Sequence, residues 1–170
     1  MGESIVVRDA TEADLPRITE IYNWTIIDNH VSFDTEPFDD ERRLQWWRDR
    51  PADLPCLVAE MDGDVAGVAY ASRYRPKPAY RSSAETTIVL DQAHLGCGLG
   101  TRLLAAMVQR LTDEGFHRAI AIVALPNDAS IALHHKLGYR TVGVLTDVGT
   151  KLGERWDTEI LERALTPDGG

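Results

Sequence analysis

Glu85, the glycines at 96, 98 and 100, Asn127 and His134 are the residues whose types and spacing could do chemistry in this chain. The glycines alternate in H-L-G-C-G-L-G-T, between two regular stretches. Before them, residues 85–91 (E-T-T-I-V-L-D) are β-formers and read as a strand. From Leu99 the period turns helical, with Leu99, Leu103, Met107, Val108 and Leu111 on one stripe. A strand, a glycine-rich turn and a helix start together make an anion site. The first helical amides have no internal partner, and the dipole is positive there. Glycines let the backbone approach the anion and adopt φ > 0.

The type of anion follows by elimination. A Walker phosphate loop ends in Gly-Lys-Ser/Thr, and no lysine follows these glycines. The dinucleotide fingerprint needs a further glycine three residues on, and that place falls on Thr101 or Leu103. A pyrophosphate held by bare amides, without metal, fits. The bland alternative is a turn that serves packing only.

A second anchor lies downstream. Residues 119–125 (A-I-A-I-V-A-L) form a continuous apolar run, as expected of a strand buried on both faces. A helix start at P-N-D-A-S follows, then I-A-L-H-H-K-L and the stop signal Gly138-Tyr139. Together, L-x-x-G-x-G-L-G-T and L-P-N-D-x-S-I-x-L-H-x-K-L-G-Y resemble the GNAT superfamily of acyl-CoA-dependent N-acyltransferases, over nearly the whole chain from Ile5 to about Leu165. The resemblance implies an α+β fold: a three-layer α/β/α sandwich with a mixed, mostly antiparallel central sheet, a parallel central pair and flanking helices. It makes acetyl-CoA the co-substrate. Its pyrophosphate would lie on Gly96, Cys97, Gly98, Leu99, Gly100 and Thr101, and its pantetheine along Ile88, Val89, Leu90 and Asn127.

Acylating an amine by a thioester needs a base for the ammonium, donors for the oxyanion and an acid for the leaving thiolate. Glu85 is the best base, since partial burial beside the anion loop raises a carboxyl pKa; the alternative is a strand-edge glutamate facing water. The segment A-E-T-T-I-V-L is similar to the A-E-S-T-V-Y-V of phosphinothricin acetyltransferases, a subgroup whose glutamate is the proposed base. An amide of residues 88–90 is the natural oxyanion donor. His134 stands seven residues after Asn127, where many relatives have tyrosine and this subgroup has histidine. An imidazole there is an acid or relay, or simply a satisfied helix histidine. Cys97 is not read as a nucleophile, because direct transfer needs none.

Further matches to the subgroup run in order, from T-E-A-D at residues 11–14 through F-x-T-E-P at 33–37 to E-G-F at 114–116. Four departures stand out. Leu95 replaces Gln or Arg at the head of the glycine motif, Lys77 stands where arginine is common, Thr150 replaces an aromatic, and Arg155-Trp156-Asp157 replaces a Trp-x-Asp order. The resemblance therefore implies an acceptor like phosphinothricin or methionine sulfoximine, with an α-amine and polar oxygens. Arg73, Arg75 and Lys77 are the expected clamp for those oxygens, unless they form only a solvated basic loop. Phe33 is either a wall of the acceptor pocket or a plug under its loop. Competing functions are acetylation of a polyamine or a protein N-terminus, and a non-catalytic acyl-CoA-binding module.

The elements that must position these residues fit one domain spanning residues 1–170, with 44% hydrophobic residues. A net charge of −9 argues against nucleic acid. Cys56 and Cys97 have neither metal nor disulfide spacing, so no metal is expected and a reduced, cytoplasmic setting is. No apolar run approaches a membrane span, and the N-terminus lacks a signal peptide. Strands are expected at residues 5–8, 57–60, 65–71, 141–148 and 156–161, and helices from Thr11 and Asp39. Residues 73–81 read as a basic loop and 166–170 as a tail. Subgroup members are usually homodimers, and the last two strands offer a surface for that.

Overall fold

The computed structural model describes residues 4–165; the expected tail lies outside the described residues. Seven strands form one sheet: β1 (Ile5–Asp9), β2 (Cys56–Met61), β3 (Asp64–Arg73), β4 (Ser83–Leu90), β5 (Arg118–Ala124), β6 (Arg140–Lys151) and β7 (Glu154–Ala164). Their order is β1-β2-β3-β4-β5-β7-β6. Every neighbouring pair is antiparallel except β4 and β5, the expected parallel pair at the centre. The turn between β2 and β3 uses Asp62 and Gly63 at φ 52° and 96°, the left-handed pair that a two-residue hairpin demands.

Four helices complete the layers: α1 (Leu15–Ile27), α2 (Asp40–Asp49), α3 (Leu99–Asp113) and α4 (Asp128–Lys136). Alternation along β2 sends Cys56 and Val58 to a cluster with Leu15, Ile18 and Ile21 of α1. Leu57, Ala59 and Met61 go to the opposite cluster with Leu103, Leu104 and Met107 of α3. The three-layer sandwich follows from that period of two.

Two local starts behave as the sequence suggests. The Asp14 carboxylate accepts from the Thr11 amide at 2.7 Å, closing the reciprocal half of the cap. The Arg8 guanidinium grips the same carboxylate through two bonds of 2.8 Å and holds its pKa down at about 2. Asp39 caps α2 by accepting from the Arg42 amide at 2.8 Å.

Three features depart from the expected pattern. The last two strands are longer than the apolar runs 141–148 and 156–161, because Gly149, Thr150 and Lys151 continue the ladder opposite Trp156, Arg155 and Glu154. The most buried side chain of α2 is Arg43, at 2% exposure, rather than Leu44 or a tryptophan. Its guanidinium lies 4.0 Å from the Phe38 ring centre and 4.9 Å from that of Trp46, and its Nε donates to Thr19 Oγ1 at 3.2 Å. Third, β5 is not buried on both faces throughout: Ile122 is 45% exposed.

Candidate active site

The exposure of Ile122 has a geometric cause. Strands β4 and β5 pair only through Ser83–Arg118, Ala84–Ala119 and Glu85–Ile120, and then part. The split begins at Thr86, whose hydroxyl donates to the Ile120 carbonyl at 3.2 Å where the ladder stops. Beyond it, β4 stays paired with β3 as far as Leu90, so its other edge is free. A cleft of about 910 Å³ occupies the gap. Its β4 wall is Glu85, Thr86, Thr87, Ile88, Val89 and Leu90, and its β5 wall is Ala121, Ile122, Val123 and Ala124.

One end of the cleft is the start of α3, where Gly96, Gly98, Gly100 and Thr101 line it. Gly98 caps the helix in the left-handed region, at φ 88°. A Cβ placed on Gly96 or Gly98 would meet nothing within 4 Å. That is open space over helix-start amides, as an anion needs. Gly100 differs: its φ is not positive, and a Cβ there would stand 3.0 Å from Leu90 Cδ1 and 3.2 Å from Leu133 Cδ2. It serves the close approach of α3 to β4 and α4. Leu99 belongs to the core at 1% exposure, so only its backbone is available at the helix start. Cys97 is exposed, off the cleft wall, and its thiol donates to the His94 carbonyl at 2.9 Å. Lys136 lines this end and reaches Thr101 Oγ1 at 3.5 Å, a cation beside the anion loop that sequence reasoning missed.

Glu85 and His134 line the same cleft. Glu85 is half-buried, and burial raises its carboxyl above the ordinary glutamate value. His134 is 2% exposed and packs edge-on against Tyr139, with ring centres 4.9 Å apart. Its Nδ1 lies 2.7 Å from the Ser130 carbonyl, which can only accept, so Nδ1 carries the proton in the neutral ring. Desolvation lowers the imidazole pKa, so the ring is neutral at pH 7. Nε2 is then a buried acceptor without a protein partner among the described residues. A neutral ring with Nε2 bare is ready to take a proton; it can give one only after that.

Asn127 spends its side chain on the N-cap of α4, accepting from the Ser130 amide at 3.2 Å, and does not line the cleft. Phe33 does line it, together with Val31, Ser32 and Asp34 from the segment between α1 and α2. Tyr22, Trp24 and Tyr70 complete that end. The Asp34 carboxylate accepts from the Tyr22 hydroxyl at 2.6 Å. Tyr22 is a buried residue of the helix expected from Thr11, and nothing in the F-x-T-E-P motif at 33–37 singles out Asp34.

The expected cationic clamp is not brought to the cleft. Arg73, Arg75 and Lys77 are absent from its walls. Arg73 is tied to Asp53 by contacts of 2.6 and 2.8 Å, and the Arg75 guanidinium sits 5.1 Å from the Tyr74 ring centre. Lys77 precedes a short 3-10 turn at Pro78–Tyr80. The basic loop leaves β3 at Arg73, which pairs with Ala84 beside Glu85, but none of its three cations lines the cleft.

A strand split from its parallel neighbour, a left-handed glycine at a helix start and a carboxylate at the apex of the split describe an acyl-CoA enzyme. The model of the acetyltransferase (GNAT) family matches residues 18–139. The chain belongs to the GNAT family of acetyltransferases. A phosphinothricin N-acetyltransferase of Streptomyces coelicolor is 40% identical over 165 residues, covering 95% of this chain and 96% of the relative. An L-methionine sulfoximine/L-methionine sulfone acetyltransferase of Pseudomonas aeruginosa is 34% identical over 166 residues, with 96% of each covered. Among solved structures, a GNAT phosphinothricin acetyltransferase from Sinorhizobium meliloti in complex with acetyl-CoA superposes with a TM-score of 0.92 at 34% identity, covering 95% of this chain and 89% of that one. The expected GNAT architecture is therefore the one found.

Proposed function

We propose that this GNAT acetyltransferase moves the acetyl group of acetyl-CoA onto the α-amine of a small amino-acid-like compound of the phosphinothricin or methionine sulfoximine type. The observation that carries this reading is the cleft itself: Glu85 and His134 line it together with the free edge of β4 and the start of α3. The coarse activity rests on the family, and the acceptor class on relatives acting on those two compounds. One domain suffices for it, because both halves of the sheet contribute walls to one cleft.

In this reading the amides at the start of α3, with Lys136, hold the pyrophosphate, and residues 88–90 run along the pantetheine. Glu85 takes a proton from the acceptor ammonium, directly or through a water, leaving a lone pair on nitrogen. That lone pair attacks the thioester carbonyl carbon. An amide of residues 88–90 donates to the oxygen as it gains negative charge. The attacking nitrogen, now positively charged, gives up its second proton to Nε2 of His134, and the carbon–sulfur bond breaks with its electrons on sulfur, leaving the neutral amide. His134 then passes that same proton from Nε2 to the thiolate, a relay rather than a preloaded acid. Arg73, Arg75 and Lys77, which do not line the cleft, are given no role in this reading.

Incubating the protein with acetyl-CoA and an amine panel that includes L-methionine sulfone and phosphinothricin tests this. Free thiol should appear with an amino-acid amine and not with polyamines or peptides. No thiol with any amine, alongside tight acetyl-CoA binding, would favour a non-catalytic module.

We also propose a homodimer. Strand β6 is a sheet edge, and Val142, Val144, Leu145 and Val148 on it are each about half exposed. An apolar edge of that length calls for cover, and a second copy supplies it. Light scattering at micromolar concentration should give twice 18.9 kDa; a monomeric mass overturns this. The reduced cysteines suit the cytoplasm, and among the described residues no helix is long and apolar enough to cross a membrane.

A further inference from the structure

Lys151 is an unusual buried cation. It is 6% exposed, and no carboxylate pairs with it among the described residues. Its ammonium donates only to main-chain carbonyls: Ser32 O at 2.6 Å and Thr25 O at 3.2 Å. Taking an ammonium out of water carries a penalty that two carbonyls offset only in part, so a methionine of similar length would fill the site at lower cost. What the lysine alone supplies is a tie. Thr25 lies in the last turn of α1 and Ser32 in the segment that walls the acceptor end of the cleft.

Two more contacts bind the same segment to the same hairpin. A Cβ on Gly149, two residues before Lys151, would overlap the Phe33 ring carbons. The His30 ring stacks on Trp156, with centres 4.2 Å apart and planes 14° from parallel. Trp156 is in register with Gly149 and donates its indole N–H to the Lys151 carbonyl at 2.9 Å. By contrast, the bonds inside the segment are short-range: Val31 N to Asn29 Oδ1 at 3.0 Å and Asp34 N to Ser32 Oγ at 3.2 Å. Outside the hairpin the segment is also held by Tyr22 and Arg42 at Asp34 and by the Pro126 carbonyl at His30, but among the described residues no such bond reaches Phe33.

We propose that the end of the β6–β7 hairpin is a clamp for the acceptor wall, with Lys151 as its positioning residue: it sets where Phe33 and Asp34 stand over the cleft and so which amines fit. The consequence for amines rests on the function proposed above; the clamp itself does not. The residues that touch the acceptor would then be tuned from a strand that is remote in sequence and contributes nothing to the acetyl-CoA end.

Hydrogen exchange followed by mass spectrometry, together with steady-state kinetics, tests this on wild type, Lys151→Met and Gly149→Ala. In Lys151→Met the amides of residues 30–34 should exchange at least about tenfold faster, with α3 and β4 unchanged. The KM for the best amine of the panel should rise about tenfold or more, while acetyl-CoA affinity by calorimetry stays within about twofold. Gly149→Ala should shift amine selectivity in wild type and add nothing in a Phe33→Ala background, since the ring it displaces is gone. That cycle decides the matter should Lys151→Met not fold. If no amine releases thiol, the functional reading fails and exchange alone judges the clamp. Unchanged exchange over 30–34, or faster exchange with amine KM unaltered, overturns the proposal; a purely structural lysine would lower the melting temperature without moving KM.

Discussion

Glu85→Gln should lower kcat by about 10²–10⁴-fold, the usual worth of a positioned general base. The amide is nearly isosteric, so the cleft keeps its shape, and acetyl-CoA should bind as before because the α3 start lies at the other end of β4. The pH dependence carries the sharper signature. Burial raises the Glu85 pKa above the ordinary value of 4.5, and the working form is the carboxylate. Wild-type activity should therefore fall as the pH drops through that raised pKa, and the variant should lose this acidic limb. Raising the pH should partly rescue the variant, since more of the amine is then neutral unaided. Stability moves the other way. Between the unfolded and folded pKa values the native state binds more protons than the unfolded one, so stability declines as pH rises through that window. The variant is free of this, and its melting temperature should exceed that of wild type at pH 8 by more than at pH 5. A raised KM with kcat kept would mean that Glu85 only binds the ammonium.

Gly98→Val should abolish acetyl-CoA binding, with a loss of at least about 10²-fold in affinity by calorimetry, when a single residue blocks both bulk and backbone geometry. At φ 88° a β-branched residue is strained, and its side chain would stand in space where no protein atom lies within 4 Å. That space is where the anion belongs in our reading. Unfolding should be mild, on the order of 1–3 kcal/mol for the strained backbone. Gly98→Ala separates the two effects, since it carries most of the backbone strain with little of the bulk. Gly100→Val is a poorer probe than the glycine pattern implies, because its side chain would drive Leu90 and Leu133 apart and disturb β4 and α4 together. Wild-type affinity in Gly98→Val would remove the loop from the cofactor site.

The parts of the site that were legible are those whose physics is local. A glycine forced to positive φ, a helix cap and a switch from period two to period 3.6 are each written within a few residues, and these located β4, the loop, α3 and α4. The acceptor end was poorly legible because its geometry is made at a distance. Asp34 is one acid in a polar stretch, and Tyr22 of α1 and Arg42 of α2, both outside that stretch, give it a place. Arg73, Arg75 and Lys77 form a local charge cluster that looks like a clamp, yet their partners are set by tertiary placement: Arg73 is tied to Asp53, and none of the three lines the cleft. Arg43 reads as a solvated helix residue until three aromatic rings close around its guanidinium. Lys151 and Gly149 were hidden for the opposite reason: weak β-formers near a strand end carry no periodic signal.

The parting of β4 and β5 after Glu85 also bears on self-association. An unpaired strand edge is a template that recruits other chains, and proteins usually blunt it with charge, proline or a bulge. Here two such edges exist, but they face each other inside the molecule, flanked by residues 31–34 and by α4. A slender extended molecule can enter between them. The fold thus keeps raw β-edge chemistry available to a ligand at this cleft. A sequence that let the ladder run on past Glu85 would gain backbone hydrogen bonds and a tighter sheet, and would seal the cleft.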